Sequence, residues 1–506
     1  MNVRVFSAAL HGIDGTLVDV EVDMVPGVGR FDIVGLPEAA VKESKVRVLS
    51  TLRALGYRAS SRWITVNLAP ADVRKRGSLY DLPIALGVLA CLNAFPSKAL
   101  EDRMFLGELS LDGRIRPVPG VLPMVAATRE LGITEAIVPT ENGAEAAVVK
   151  GVRCFAADTL AGLVHCLSSD DALPRVQSAQ ATIRQPSGLD YADVRGQAHA
   201  KRALEIAAAG RHNLLMMGPP GSGKTMLARR LPTILPWMTY EESLETTKIY
   251  SVAGMLRQRT GLMTRRPFRA PHHTGSAAAV AGGGSIPRPG EVSMAHNGLM
   301  FIDELPEWQR GVLEVLRQPM EDRSITITRT AGSFTYPSDF LLIAAMNPCP
   351  CGYWGDPRHR CSCSSADVAR YRGRVSGPLM DRIDLHVEVP AVPFRDLTRP
   401  YAATESSAAI RERVQVAVDR QAARFEGSDV RFNGRMGTRQ VKEHCVVPKE
   451  SIRLLETAMD RLGLSARALD RILKVSRTIA DLEGSDNIRS VHVSEAIQYR
   501  LLDRGA

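Results

Sequence analysis

Residues 218–225 read Gly218-Pro219-Pro220-Gly221-Ser222-Gly223-Lys224-Thr225, between an apolar run, Leu214–Met217, and a helix-forming stretch, Met226–Leu231. A glycine-rich turn joining a buried strand to a helix start lets consecutive backbone N–H groups converge on phosphate oxygens, and the helix N-terminus adds partial positive charge. The spacing also supplies a lysine for the β/γ-phosphates, Lys224, and a hydroxyl for Mg2+, Thr225. The expected chemistry is binding of ATP with Mg2+. The competing reading, a glycine turn with an incidental lysine, leaves the strand before it and the helix after it unexplained.

A second apolar run, Leu299–Ile302, ends in Asp303 and Glu304. There Asp303 is expected to hold the Mg2+ shell and Glu304 to polarise the attacking water. Acid pairs also occur as solvated strand ends, and the phosphate loop upstream selects the catalytic reading. A third run, Phe340–Met346, ends in Asn347, which by itself is a turn former. Arg382 precedes the apolar Leu385–Val389, and Arg467 opens a helical stretch. Either can stabilise charge that spreads over the γ-phosphate, Arg382 from a neighbouring subunit and Arg467 in cis. Each also reads as an ordinary ion-pairing arginine. If Arg382 acts in trans, the protein is a ring or chain of subunits.

Four of the eight cysteines crowd into one segment, as Cys349-x-Cys351 and Cys361-x-Cys363. Four thiolates satisfy tetrahedral Zn2+, although C-x-C is tighter than the usual C-x2-C. His359 is an alternative ligand, and four reduced, unligated thiols are the other reading. Arg358, Arg360, Arg370 and Arg372 would give such a knuckle a basic surface. Cys91, Cys154, Cys166 and Cys445 are isolated and read as structural.

The elements that must position these groups fall into regions. Residues 1–170 alternate strand-like runs (Leu17–Met24, Arg62–Asn67, Ile133–Pro139) with helical ones (Glu38–Leu55, Leu82–Leu92, Leu122–Leu131), an α/β domain of its own. Residues 171–187 are polar and weakly periodic and read as a linker. Residues 188–395 hold the P-loop core, and 396–506 are almost wholly helical: Ile410, Val414 and Val418 share one face, and Leu469, Ile472, Leu473, Ser476 and Ala480 another. The chain of 506 residues carries a net charge of +9, a balance that suits a polyanion such as DNA. No apolar run is long enough to span a bilayer, and the N-terminus lacks the pattern of a signal peptide, so no membrane association and a cytoplasmic location are expected.

The runs Asn213–Thr225, Phe268–Thr274, Met346–Gly352 and Ser376–Leu385 resemble the YifB/ComM family of magnesium-chelatase-like AAA+ ATPases, and the resemblance extends over nearly the whole chain. It implies a P-loop AAA+ α/β core with a helical lid, Asn347 orienting the water, and a homo-hexameric ring. It also implies an ATP-dependent DNA helicase or translocase promoting branch migration of recombination intermediates during natural transformation. A metal-insertion or protein-remodelling motor of the magnesium-chelatase type is the alternative. Related AAA+ proteins insert hairpins into the ring pore, and two stretches here fit. Pro271–Pro289, with its run of alanines and glycines, suits a mobile pore loop. Ser324–Tyr336 alternates as a β-hairpin that places Arg329 near its tip, where it would touch DNA phosphates. An ordinary surface hairpin is the plain reading.

The N-terminal region resembles the Lon-protease-like fold (ribosomal S5 domain 2-like). The protease's serine–lysine dyad is missing: Leu79–Ala85 has no serine and Arg116–Arg129 no lysine. A non-proteolytic scaffold, DNA-binding or ring-forming, is expected.

Overall fold

A computed structural model describes residues 2–59, 61–169, 171–177, 188–256, 261–284, 287–329, 332–392 and 404–502. Of the expected linker, 178–187 lie outside the described residues, as does the expected 395/396 boundary. The chain forms two compact units, residues 1–182 with 240–264, and residues 183–239 with 265–506.

The first unit is built on strands β1 (Asn2–His11), β2 (Asp14–Pro26), β3 (Arg30–Val34), β4 (Arg62–Ala69), β5 (Arg103–Phe105), β6 (Glu135–Pro139) and β7 (Arg153–Ala157). They form one seven-stranded sheet in the order β3-β4-β2-β1-β5-β6-β7. β1 pairs antiparallel with β2 along its whole length, from Asn2 opposite Asp23 to His11 opposite Asp14. The helix Asp81–Cys91, apolar after its first residue, is buried throughout and packs on β1 and β2. At its start the buried Asp81 carboxylate accepts from Arg47 Nε at 2.6 Å and from the Leu109 amide at 3.2 Å. The helix thus begins on a structural ion pair.

One segment inside the expected 188–395 core clusters elsewhere. Residues 240–264 belong to the first unit. Helix Tyr240–Val252 packs on helix Val121–Glu130, and Ser251 Oγ donates to buried Glu145 at 2.7 Å.

The second unit carries β8 (Leu214–Met217), β9 (Phe268–Arg269), β10 (Leu299–Ile302), the hairpin strands β11 (Ser324–Arg329) and β12 (Gly332–Pro337), β13 (Leu341–Met346) and β14 (Leu385–Glu388). Five of these make a sheet in the order β9-β10-β13-β8-β14, every neighbouring pair parallel. β8, β10 and β13 are buried on both faces, which is why they read as continuous apolar runs rather than alternating ones. The C-terminal helices Ser407–Arg424, Lys449–Leu462, Ala466–Leu482 and Ser490–Gln498 share one hydrophobic core with the sheet. A buried polar knot fastens them: Arg424 holds Asp481 through contacts of 2.6 and 2.8 Å, and Thr478 bonds His212 Nε2 at 2.7 Å. Burial pushes that imidazole down to about 4, so it is neutral near pH 7.

β11 and β12 pair from Ser324–Pro337 to Arg329–Gly332, as the alternation predicts. Within the 271–289 stretch, Ala277–Ala281 is a short helix whose start is capped by Ser276 Oγ, which accepts from the Ala279 amide at 3.2 Å, and Gly282–Gly283 pairs with Arg288–Pro289. Alanine's helix propensity and the serine cap account for the helix.

Candidate nucleotide site and cysteine cluster

In a parallel sheet, groups that follow the strands' C-terminal ends gather along one edge. Here that edge carries Gly218 after β8, Asp303 after β10 and Asn347 after β13, with β13 lying between the other two strands. The Gly218 amide donates to Met346 O at 3.2 Å, tying the phosphate loop to the Asn347 strand. The loop turns through Pro219, Pro220, Gly221 and Ser222 to Gly223, whose φ of 94° lies in the left-handed region that glycine alone adopts readily. Helix Lys224–Arg230 starts immediately afterwards.

Lys224 is buried, and its Nζ lies 2.6 Å from Gly218 O, 3.0 Å from Pro219 O and 3.2 Å from Asn347 Oδ1. Burial lowers this ammonium, and the Asp303 and Glu304 charges oppose the shift. Thr225 Oγ1 donates to Asp303 Oδ2 at 2.8 Å, so the two hard oxygen donors that Mg2+ prefers sit side by side. Ser222 Oγ is buried with no hydrogen-bond partner among the described residues. A loop that leaves a buried donor free beside a lysine and a helix start fits a triphosphate.

Glu304 has φ of 51°, and its side chain is 54% exposed, with Oε2 3.4 Å from His273 Nδ1. His273 follows β9 and lies within the 271–289 stretch. Sequence reading gave it no role, since only the fold brings it to Glu304. Gln197 was also missed: its Nε2 donates to Pro390 O at 2.5 Å and reaches Ser222 O at 3.3 Å, bracing the phosphate loop from the helix Ala198–Gly210.

Arg382 and Arg467 lie elsewhere. Arg382 precedes β14, and its carbonyl accepts from Asn213 Nδ2, which precedes β8, at 3.0 Å. It therefore leaves the N-terminal edge of the sheet, a strand length of roughly 13 Å from the edge that carries Lys224. Its side chain is 10% exposed; Nη1 donates to Pro378 O at 2.6 Å, Nη2 binds Glu321, and Nε has no acceptor among the described residues. Arg467 follows the cap Ser465 of helix Ala466–Leu482, and one turn on, Arg471 lies 3.6 Å from Asp384. The hydrogen bond from Arg382 and, more weakly, the charge of Arg467 hold the Glu321 carboxyl below its ordinary range. Arg467 thus shares the surroundings of Arg382 and Glu321.

The cysteine segment follows Asn347 directly. The ligand atoms of Cys349, Cys351, Cys361 and Cys363 all lie within 4.8 Å of one another, with Sγ–Sγ distances of 3.4, 3.7 and 3.4 Å among the first three. Four sulfurs at ~2.3 Å from a tetrahedral zinc stand roughly 3.8 Å apart, so the cluster fits that ion closely. Backbone N–H groups of Tyr353 and Ser362 stabilise the Cys351 thiolate and bring its pKa down to about 5. His359 is no ligand here: it pairs with Asp356 at 3.2 Å and rests on the Tyr353 ring. The segment lies against the phosphate loop. A Cβ on Gly352 would sit 2.6 Å from Pro220 Cδ, and Trp354, Asp356 and Arg358 share the walls of a 450 Å³ cavity with Gly218 and Pro219.

A parallel sheet in this order, with the acid pair and the polar residue on successive strands beyond the phosphate loop, defines a P-loop protein of the AAA+ class. Residues 190–397 match the family described as magnesium chelatase, subunit ChlI; residues 20–142 match subunit ChlI of Mg-chelatase, and 404–500 its C-terminal region. The chain is 43% identical over 502 residues to the YifB protein of Salmonella typhimurium and 42% identical over 506 residues to the competence protein ComM of Haemophilus influenzae, in each case spanning 99% of this chain and 97% of the relative. The chain belongs to the YifB/ComM family of magnesium-chelatase-like AAA+ proteins. It is also 26% identical over 165 residues to Lon protease 2 of Bacillus subtilis, 29% of each chain. Among the described residues, no helix is long and apolar enough to cross a membrane.

Proposed function

We propose that the protein is an ATP-driven DNA translocase, assembled as a homo-hexameric ring in the cytoplasm, that promotes branch migration of recombination intermediates during natural transformation. The observation that carries the assembly is the position of Arg382. It leaves the sheet edge opposite Lys224, roughly a strand length from that subunit's own phosphates, so a neighbouring subunit's phosphates are its natural target. Arg467 lies beside it and acts from the same face. Within one subunit, Lys224 binds the β/γ-phosphates, Asn347 and Glu304 orient the water, and Thr225 and Asp303 hold Mg2+. When bound, Mg2+ neutralises the charge developing on the phosphates. The competence relative and the net charge of +9 favour DNA as the driven partner.

The pore element is the β11–β12 hairpin, with Arg329 at the last paired position before its turn. With ATP, the wild-type protein is expected to convert a mobile four-way junction into duplex products. Arg329→Ala is expected to slow this several-fold and to lose DNA stimulation of hydrolysis while binding ATP normally. Unchanged unwinding by the variant would remove Arg329 from the pore. A wild-type protein inert on every branched DNA would favour the protein-remodelling reading, which the magnesium chelatase family descriptions support.

The four cysteines are proposed to hold one structural Zn2+. Elemental analysis of protein purified without chelator should give about one zinc per chain. Cys361→Ser/Cys363→Ser should lose it, melt at lower temperature and bind ATP more weakly, since the segment braces Pro220. Metal-free wild-type protein would exclude the site.

A further inference from the structure

The first unit holds a concavity that the nucleotide chemistry does not use. It measures 280 Å³ and opens beside β3, the edge strand of the seven-stranded sheet. Arg30 enters from β3, Arg62 from the start of β4, Arg58 and Tyr57 from the loop before it, and Lys45 and Arg53 from helix Ser44–Ala54. Lys45, Leu49 and Arg53, spaced by four residues, share one helix face, which sets both cations at the pocket. Five cations line the pocket and no carboxylate does. Arg30 pairs with Asp32 outside it at 2.6 Å, while Lys45, Arg53, Arg58 and Arg62 have no ion pair among the described residues. Cations gathered without counter-charge repel one another, an arrangement that an anionic ligand relieves.

The layout of the cations selects the kind of anion. At 280 Å³ the pocket is small for a drug-sized ligand, yet its cations come from four separate segments, which suits a track of phosphates. A groove whose positive charges follow a backbone is the chemistry that grips a single nucleic-acid strand without reading its sequence.

We infer that this pocket of the N-terminal unit is a single-stranded nucleic-acid binding site, with Lys45, Arg53, Arg58 and Arg62 on the phosphates. The inference rests on the proposed DNA function and places a second contact with the strand outside the nucleotide-binding unit.

Fluorescence anisotropy of labelled oligo-dT, titrated with full-length protein across a salt series, tests it. Lys45→Gln/Arg53→Gln/Arg58→Gln/Arg62→Gln should weaken binding at least about tenfold and reduce the log–log salt slope by roughly 3, at ~0.7 per phosphate contact. The variant should keep wild-type ATP hydrolysis measured without DNA, which reports an intact second unit. Arg53→Lys/Arg58→Lys/Arg62→Lys should retain the wild-type slope, separating charge from folding. If the wild type binds oligo-dT and the glutamine variant binds it equally well, the pocket is overturned and the DNA function stands. If the wild type binds no DNA, the proposed function fails and takes this site with it. Displacement of oligo-dT by polyglutamate as readily as by unlabelled oligo-dT would overturn the nucleic-acid assignment in favour of an acidic protein.

Discussion

Glu304→Gln should leave the protein able to bind ATP and unable to hydrolyse it at a useful rate. The glutamine keeps the size of the side chain and removes its basicity, so any loss belongs to proton transfer from water rather than to packing. General-base catalysis is worth about a hundredfold to ten-thousandfold, so turnover should fall at least a hundredfold, equivalent to about 2.7 kcal/mol of barrier. The phosphate contacts through Lys224 and the Thr225–Asp303 pair are untouched, and ATP affinity should stay within a few-fold of wild type. Half of the Glu304 side chain is exposed and its carboxylate faces His273, so neither the neighbouring backbone nor the core depends on its charge. Single-turnover hydrolysis alongside equilibrium binding of a fluorescent ATP analogue separates the two effects. Wild-type turnover in the variant would move the general base elsewhere, and lost ATP binding would make Glu304 a binding residue.

What sequence could say about this site depended on how local each feature is. Strands β8, β10 and β13 are buried on both faces, and each ends in a residue with its own chemistry, so their limits and the positions of Gly218, Asp303 and Asn347 followed from apolar runs alone. The β11–β12 hairpin was legible because alternation has a fixed period. Features fixed by distant contacts were not. Helix Tyr240–Val252 buries Glu242, Ser243, Thr246 and Thr247 beside Ile249 and Tyr250, so no clean apolar stripe in its pattern showed that it packs on Val121–Glu130. Gln197 and His273 gain their roles only when the loops around β8 and β10 are folded. The surroundings of Arg467 were not legible either, because a lid helix can present its first turn to either edge of the sheet. Asp384, which receives Arg471, shows that it faces the N-terminal edge.

Arg382→Ala should abolish hydrolysis as thoroughly as Glu304→Gln, yet the two inactive proteins should restore each other when mixed. An arginine supplied to a neighbour's γ-phosphate is worth about a thousandfold or more in turnover, and nothing in the subunit that donates it is needed at that site. In a mixed ring, an interface regains activity where an Arg382→Ala subunit contributes Lys224, Asp303 and Glu304 and its Glu304→Gln neighbour contributes Arg382. Random assembly of equal amounts puts that arrangement at about a quarter of head-to-tail interfaces. Mixing should therefore give hydrolysis well above the sum of the two parents, rising with protein concentration as rings form. The geometry explains why complementation and not simple loss is the decisive readout. Arg382 is held by Pro378 O and Glu321, and Arg467 bears on the same carboxylate, so replacing Arg382 also disturbs a local ion pair. A purely structural arginine would lose activity through that disturbance and would not be rescued by a partner whose own Glu304 is disabled. A finger acting in trans would be. Additive, unrestored activity in the mixture would confine Arg382 to its own subunit and remove the main support for a ring whose ATP sites lie between protomers.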